Sequence, residues 1–164
     1  PRRFGSMELV RTDALPSHPV IGRLGPEPVA EDFDAAVLAE SLRGRRCSIK
    51  AALLNQHLVA GVGNIYAAEA LFAARIHPIR SANTIGAKRL MVLQREIIAV
   101  LERALQSGGS TVRNFRSSDG APGYFAQELK VYGRAGQECR QCQRPLKSMV
   151  SGGRSTVYCA SCQR

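Results

Sequence analysis

The chain has 164 residues, 45% of them hydrophobic and 22% charged, a globular profile that excludes a disordered or collagen-like protein. No apolar run approaches the roughly 20 residues of a membrane span, and the first residues lack the charged-then-apolar layout of a secretory signal. Lys and Arg number 23 against 13 Asp and Glu, a net charge of +10 that points to a polyanionic partner, nucleic acid foremost, with a merely cationic soluble protein as the bland alternative.

In chain order, Pro16, Pro19, Pro26 and Pro28 with Gly22 and Gly25 keep the first thirty residues extended or irregular. From Glu31 the pattern turns helical, with Phe33, Val37, Leu38 and Leu42 at three- and four-residue spacing and Gly44 as a stop. Ser48 is placed to cap a short helix through Leu54. A third helix is expected from Asn64, its apolar face made by Ile65, Ala68, Phe72 and Ile76 before His77-Pro78 ends it. The longest should run from Ala87 to Leu105, burying Leu90, Leu93, Ile97, Leu101 and Leu105, with Ser107-Gly108-Gly109 as its break. Ser110 is a cap for one more short helix reaching Phe115, and Ser117–Gly123 has the composition of a flexible loop. Short β-prone pieces such as Thr156-Val157-Tyr158 follow. The expected fold class is mainly α, a helical domain of residues 31–118 followed by a small β-hairpin module.

Five cysteines is an odd count that fits a disulfide framework badly. Cys139-Arg-Gln-Cys142 and Cys159-Ala-Ser-Cys162, sixteen residues apart, give two thiolate knuckles that can face each other as a tetrahedral S₄ site. Zn²⁺ suits such a site, with iron or disulfides as the alternatives. Four thiolates leave no open coordination position, so the site is structural, and a module of about thirty residues needs the metal in order to fold. Cys47 stands alone and reads as a bland, partly buried residue.

Gly61-Val62-Gly63-Asn64 looks at first like a dinucleotide loop, but the pattern would need glycine at position 66, where the chain has Tyr66. A tight helix-to-helix turn is the better account, with Asn64 capping the next helix. The outward N–H groups of that helix end form a phosphate site or simply an ordinary cap.

These motifs together carry a resemblance. Gly61–Ala67, Glu69–Ala73 leading to Ile76-His-Pro78, Asp119-Gly120, Pro122–Gln127, Val131-Tyr-Gly-Arg134 and the cysteine quartet resemble, in order, the carboxyl-terminal part of bacterial formamidopyrimidine-DNA glycosylases (Fpg, or MutM). The endonuclease VIII branch is matched less well. The resemblance implies a helix–two-turns–helix DNA-binding domain and a Cys₄ zinc finger. It also implies a bifunctional glycosylase and AP lyase that removes 8-oxoguanine and formamidopyrimidines from double-stranded damaged DNA, in a monomeric, cytoplasmic, nucleoid-associated bacterial enzyme.

Carried over by motif, Asn64, Tyr132 and Arg154 would grip phosphates around the lesion, and Lys50 would lie near the flipped base. Ser117, Ser118, Asp119, Gly120, Ala121, Pro122, Gly123 and Tyr124 would cover an everted 8-oxoguanine. Arg2 would read the orphaned cytosine and Phe4 would fill the stack, recovering part of the cost of eversion. The family's enzyme begins Pro-Glu, with the proline amine as nucleophile, whereas this chain reads Pro1-Arg2-Arg3. Pro1 is therefore not expected to be the nucleophile, and the catalytic amino-terminal domain is expected to be missing. On this reading residues 1–30 are the end of that domain and a linker, 31–118 the DNA-binding domain, 119–134 the cover loop and connector, and 135–164 the finger. A stand-alone, non-catalytic zinc protein that binds nucleic acid is the alternative.

Overall fold

The computed structural model describes residues 7–107 and 129–164. The expected Ser110–Phe115 helix, the Ser117–Tyr124 loop and the Pro1, Arg2 and Phe4 assignments lie outside these residues.

The proline-rich start is irregular apart from two 3₁₀ turns, Thr12–Ser17 and Ile21–Arg23. Helix α1 spans Ala35–Leu42. It begins four residues later than the pattern suggested because Asp34 caps it, accepting the N–H groups of Ala36 and Val37 at 2.8 Å. Helix α2, Ile49–Leu53, is capped as expected by the Ser48 hydroxyl, 3.2 Å from the Ala51 N–H. Helix α3 spans Asn64–Ala73 and helix α4 spans Ala87–Gln106.

Two expectations need correction. Asn64 does not cap α3; it is the first helical residue, Gly63 is the extended N-cap, and no side chain closes that end. In α4 the buried residues are Leu90, Leu93, Ile97, Val100 and Ala104, while Leu101 is half-buried and Leu105 is 70% exposed. The seam repeats every seven residues (90, 97, 104), so a stripe continued by fours rotates out of it in the last two turns.

Helix α3 is buried on nearly every side, with Ala67 through Phe72 all shielded from solvent. Ala67, Ala70 and Leu71 face the main helical core with Leu38, Leu53, Leu93 and Ile97. Ala68 and Phe72 face a second, smaller core with Val131, Leu146, Val157, Cys139 and Cys159. A helix caught between two cores shows little amphipathic contrast, which α3's sequence reflects.

The carboxyl-terminal module is one antiparallel hairpin, β1 Lys147–Ser151 and β2 Arg154–Tyr158, in register Val150 to Ser155 and Ser151 to Arg154. Its two-residue turn is Gly152-Gly153, both left-handed at φ 58° and 71°, the geometry that twists with the strands and that glycine enters without strain.

Candidate metal centre and nucleic-acid interface

The four Sγ atoms of Cys139, Cys142, Cys159 and Cys162 all lie within 4.8 Å of one another. Cys142 and Cys159 are 3.5 Å apart, and Cys139 and Cys162 are 4.0 Å apart. A tetrahedral zinc with bonds of about 2.3 Å has sulfur–sulfur edges of about 3.8 Å, so the quartet fits that ion. The main-chain N–H of Arg144 pulls the Cys142 thiol down to about 7, while burial, followed by the neighbouring sulfurs, pushes Cys162 up to about 12. Cys47, expected to be partly buried, is instead exposed, and it takes no part in the quartet.

The finger is fixed to the helices by buried polar side chains. Among the described residues these are Lys50, Glu69, Thr156 and Gln163. All four lie on the seam between the two cores, and each has partners. Gln163 donates to the Ile76 carbonyl at 2.9 Å and accepts the Cys159 N–H at 2.9 Å. Glu69, from the middle of α3, accepts the N–H groups of Lys130 (2.9 Å), Val131 (2.9 Å) and Tyr132 (2.8 Å). Its carboxylate thereby sets the course of the segment that carries Tyr132. At the edge of this seam the His77 and Tyr158 rings meet edge-to-face, 4.6 Å between centroids.

Lys50 is wholly buried. Its ammonium donates to the Thr156 hydroxyl at 2.5 Å and to the Ser155 carbonyl at 3.2 Å. Burial, and secondarily the positive charge of Arg154, bring it down to about 8. The family resemblance implies a lysine near a flipped base; the structure gives it partners inside the protein, where it joins α2 to β2. The Asn64 amide also donates to the Ser155 carbonyl, at 3.2 Å, while its Oδ1 is buried without a donor. One N–H of that amide is thus used on the finger and the second remains.

Of the three expected phosphate residues, Asn64 and Arg154 are brought together through Ser155, the neighbour of Arg154 in β2. Tyr132 is positioned from the same helix that carries Asn64, through Glu69. Arg154 is exposed at the hairpin tip. Sequence reasoning missed Glu69 and Gln163 as positioning residues. A signal for Glu69 exists, since it is the only carboxylate between Ser41 and Arg95 and stands in an apolar helix. Away from this seam, an apolar groove of about 480 Å³ lies between Leu24, Val29, Tyr66, Leu101 and Leu105. Among the described residues no helix is long and apolar enough to cross a membrane.

Comparison with known proteins gives two family matches: the formamidopyrimidine-DNA glycosylase H2TH domain over residues 24–116, and the zinc finger found in Fpg and IleRS over residues 136–164. The formamidopyrimidine-DNA glycosylase of Edwardsiella ictaluri is 49% identical over the whole chain, and that of Sphingopyxis alaskensis 50%. The chain spans 60% of the length of each. Among solved structures, MutM (Fpg) from Thermus thermophilus superposes with a TM-score of 0.86 at 42% identity, covering 93% of this chain and 58% of that one. Lactococcus lactis Fpg in complex with DNA containing an abasic site gives 0.86 at 38% identity, covering 94% of this chain and 57% of that one. With the quartet's geometry and the matching finger, one structural zinc is the ion these cysteines hold, and the chain belongs to the formamidopyrimidine-DNA glycosylase H2TH family.

Proposed function

We propose that this chain supplies the DNA grip of a base-excision-repair enzyme, a bifunctional glycosylase and AP lyase acting on 8-oxoguanine and formamidopyrimidines in double-stranded DNA. The names of the relatives support this reading, as do the Lactococcus lactis complexes, which hold DNA with a Fapy-dG lesion or an abasic site. Residues 31–118 and 135–164 serve as the two gripping modules, joined by 119–134, and the enzyme works as a monomer in the bacterial cytoplasm.

The observation that carries the proposal is the meeting of Asn64 and Lys50 at the Ser155 carbonyl, beside Arg154. It links the uncapped start of α3, a natural phosphate site, to the exposed guanidinium of the hairpin tip. Asn64, Tyr132 and Arg154 then hold one strand from both modules and from the segment that joins them. Lys50 acts by fixing the hairpin that presents Arg154.

The test is the salt dependence of binding to a duplex with an abasic-site analogue, followed by fluorescence anisotropy. Arg154→Ala should flatten the slope of log affinity against log salt by about 0.9, the effect of one lost phosphate contact. Asn64→Ala should weaken binding with little change of slope. An unchanged slope in the arginine variant would remove Arg154 from the grip.

A further inference from the structure

At the other end of α3, where the base of the finger meets the start of α4, lies a polar cleft of about 450 Å³ lined by Arg75, Arg89, Gln141, Ser161, Cys162 and Arg164. We infer that this cleft is a second anion site, built for a phosphate group and separate from the Asn64–Arg154 end. Helix α3 has ten residues, so at 1.5 Å per residue the two sites stand about 15 Å apart along its axis.

Charge supports the assignment first. The only carboxylate side chains in residues 41–95 and 129–164 are Glu69, spent on the Lys130–Tyr132 main chain, and Glu138. Among the described residues no carboxylate side chain forms an ion pair with Arg75, Arg89 or Arg164. Arg89 and Arg80 do donate to the carboxyl-group oxygen of Arg164, at 2.9 and 3.5 Å, so in the 164-residue chain one negative charge already stands beside Arg89. That tie draws α4 onto the finger and leaves the rest of the Arg89 fork available. Ser161 accepts from Arg144 at 2.9 Å, so its own hydroxyl hydrogen remains to be donated. Three guanidiniums, an amide and a hydroxyl around one cleft make a donor set that suits a tetrahedral oxyanion.

The placement of Arg75 is the second support. Helix α3 ends with the Ile76 N–H on the Leu71 carbonyl and the Arg75 N–H on the Phe72 carbonyl, the paired closure that normally takes glycine at the left-handed position. Here that position is Arg75, at φ 56°. An arginine held where glycine costs less is explained by what its side chain does, and its carbonyl also accepts the Arg164 N–H at 3.1 Å, tying two of the three arginines together. A competing role for the cluster is to offset the net charge of −2 that four thiolates and one Zn²⁺ carry.

Arg75→Gly separates these readings, because glycine relieves the backbone and removes only the guanidinium. The 164-residue zinc-loaded chain is titrated with inorganic pyrophosphate by calorimetry, and with duplexes of 12 and 30 base pairs by anisotropy, alongside Arg89→Gln and Arg95→Gln. Pyrophosphate affinity should fall about tenfold in Arg75→Gly and in Arg89→Gln and hold in Arg95→Gln, an exposed arginine of α4 that does not line the cleft. If the natural phosphate is free, both duplexes bind the Arg75 variant as they bind the original. If it belongs to nucleic acid, the 30-base-pair duplex alone loses about 0.9 of salt slope in that variant. Pyrophosphate binding that is absent, or indifferent to both substitutions, overturns the proposal. So does loss of zinc in the Arg75 variant with anion binding intact, since the arginines would then serve only the thiolates. Failure of the Arg154 test above leaves this site standing, because the two rest on opposite ends of α3.

Discussion

The carboxylate of Glu69 accepts the main-chain N–H of Tyr132 at 2.8 Å, together with those of the two residues before it. A buried acid on α3 thus does for this segment what a sheet partner does for a strand: it satisfies three successive amides. Replacing Glu69 by Gln sets an NH₂ group against at least one N–H, and an unpaired buried donor costs about 1–3 kcal/mol. Glu69→Gln should therefore lower the thermal midpoint and weaken DNA binding through Tyr132 without changing the salt slope. Binding that stays at the original level while stability falls would separate Tyr132 from the grip.

Zinc removal should be felt beyond the finger. Phe72 on α3 is fully buried, and part of its burial is against Leu146, Val157 and two of the zinc cysteines. Chelation at neutral pH, or Cys142→Ser, should melt the hairpin, expose Phe72 and increase binding of a hydrophobic dye. Helical circular dichroism should persist, because Leu38, Leu71, Leu93 and Ile97 belong to the other core. Cys47→Ser should retain one zinc per chain; loss of zinc there would contradict the quartet.

Apolar spacing and the CxxC pairs made the helices and the zinc quartet legible in the sequence, since each is a local pattern: Ser48 three residues before Ala51, or Cys139 three before Cys142. The seam was not legible. Lys50 meets Thr156 across 106 positions, Asn64 meets Ser155 across 91, and Gln163 meets Ile76 across 87. No local period records such pairs. Nothing local marks Lys50 or Glu69 as buried; that follows only from the second core, which covers them. Leu105 failed in the opposite sense, because a spacing of four suits a helix face yet drifts off a seam that repeats by sevens.

The start of α1 offers a plain test of capping. Asp34 satisfies two otherwise orphaned N–H groups with one oxygen. Asp34→Ala should cost about 1 kcal/mol of stability, and Asp34→Ser should recover most of it. Urea denaturation measures both, and equal midpoints for the alanine and serine variants would deny the cap its role.

Lys50 gives the folded chain a characteristic pH dependence. Burial and then the charge of Arg154 bring its ammonium to about 8, against 10.5 for an ordinary lysine. Between those values the unfolded chain binds more protons than the folded one, so stability rises with pH across that window. Below about 8 the full cost of burying the charge is present, and it is relieved progressively as pH climbs toward 10.5. The neutral amine still donates to Thr156 or Ser155, so the finger stays docked. Lys50→Met keeps the length of the side chain and removes the titration. Midpoints of the original chain and the variant are measured at pH 7, 8, 9 and 10, and their difference should move steadily in favour of the original as pH rises. Arg154→Ala should shrink that trend, because it removes the second cause of the shift while leaving the burial. A gap between the original and Lys50→Met that stays flat from pH 7 to 10 would mean that the ammonium titrates as a solvated one, and that the seam is open to water.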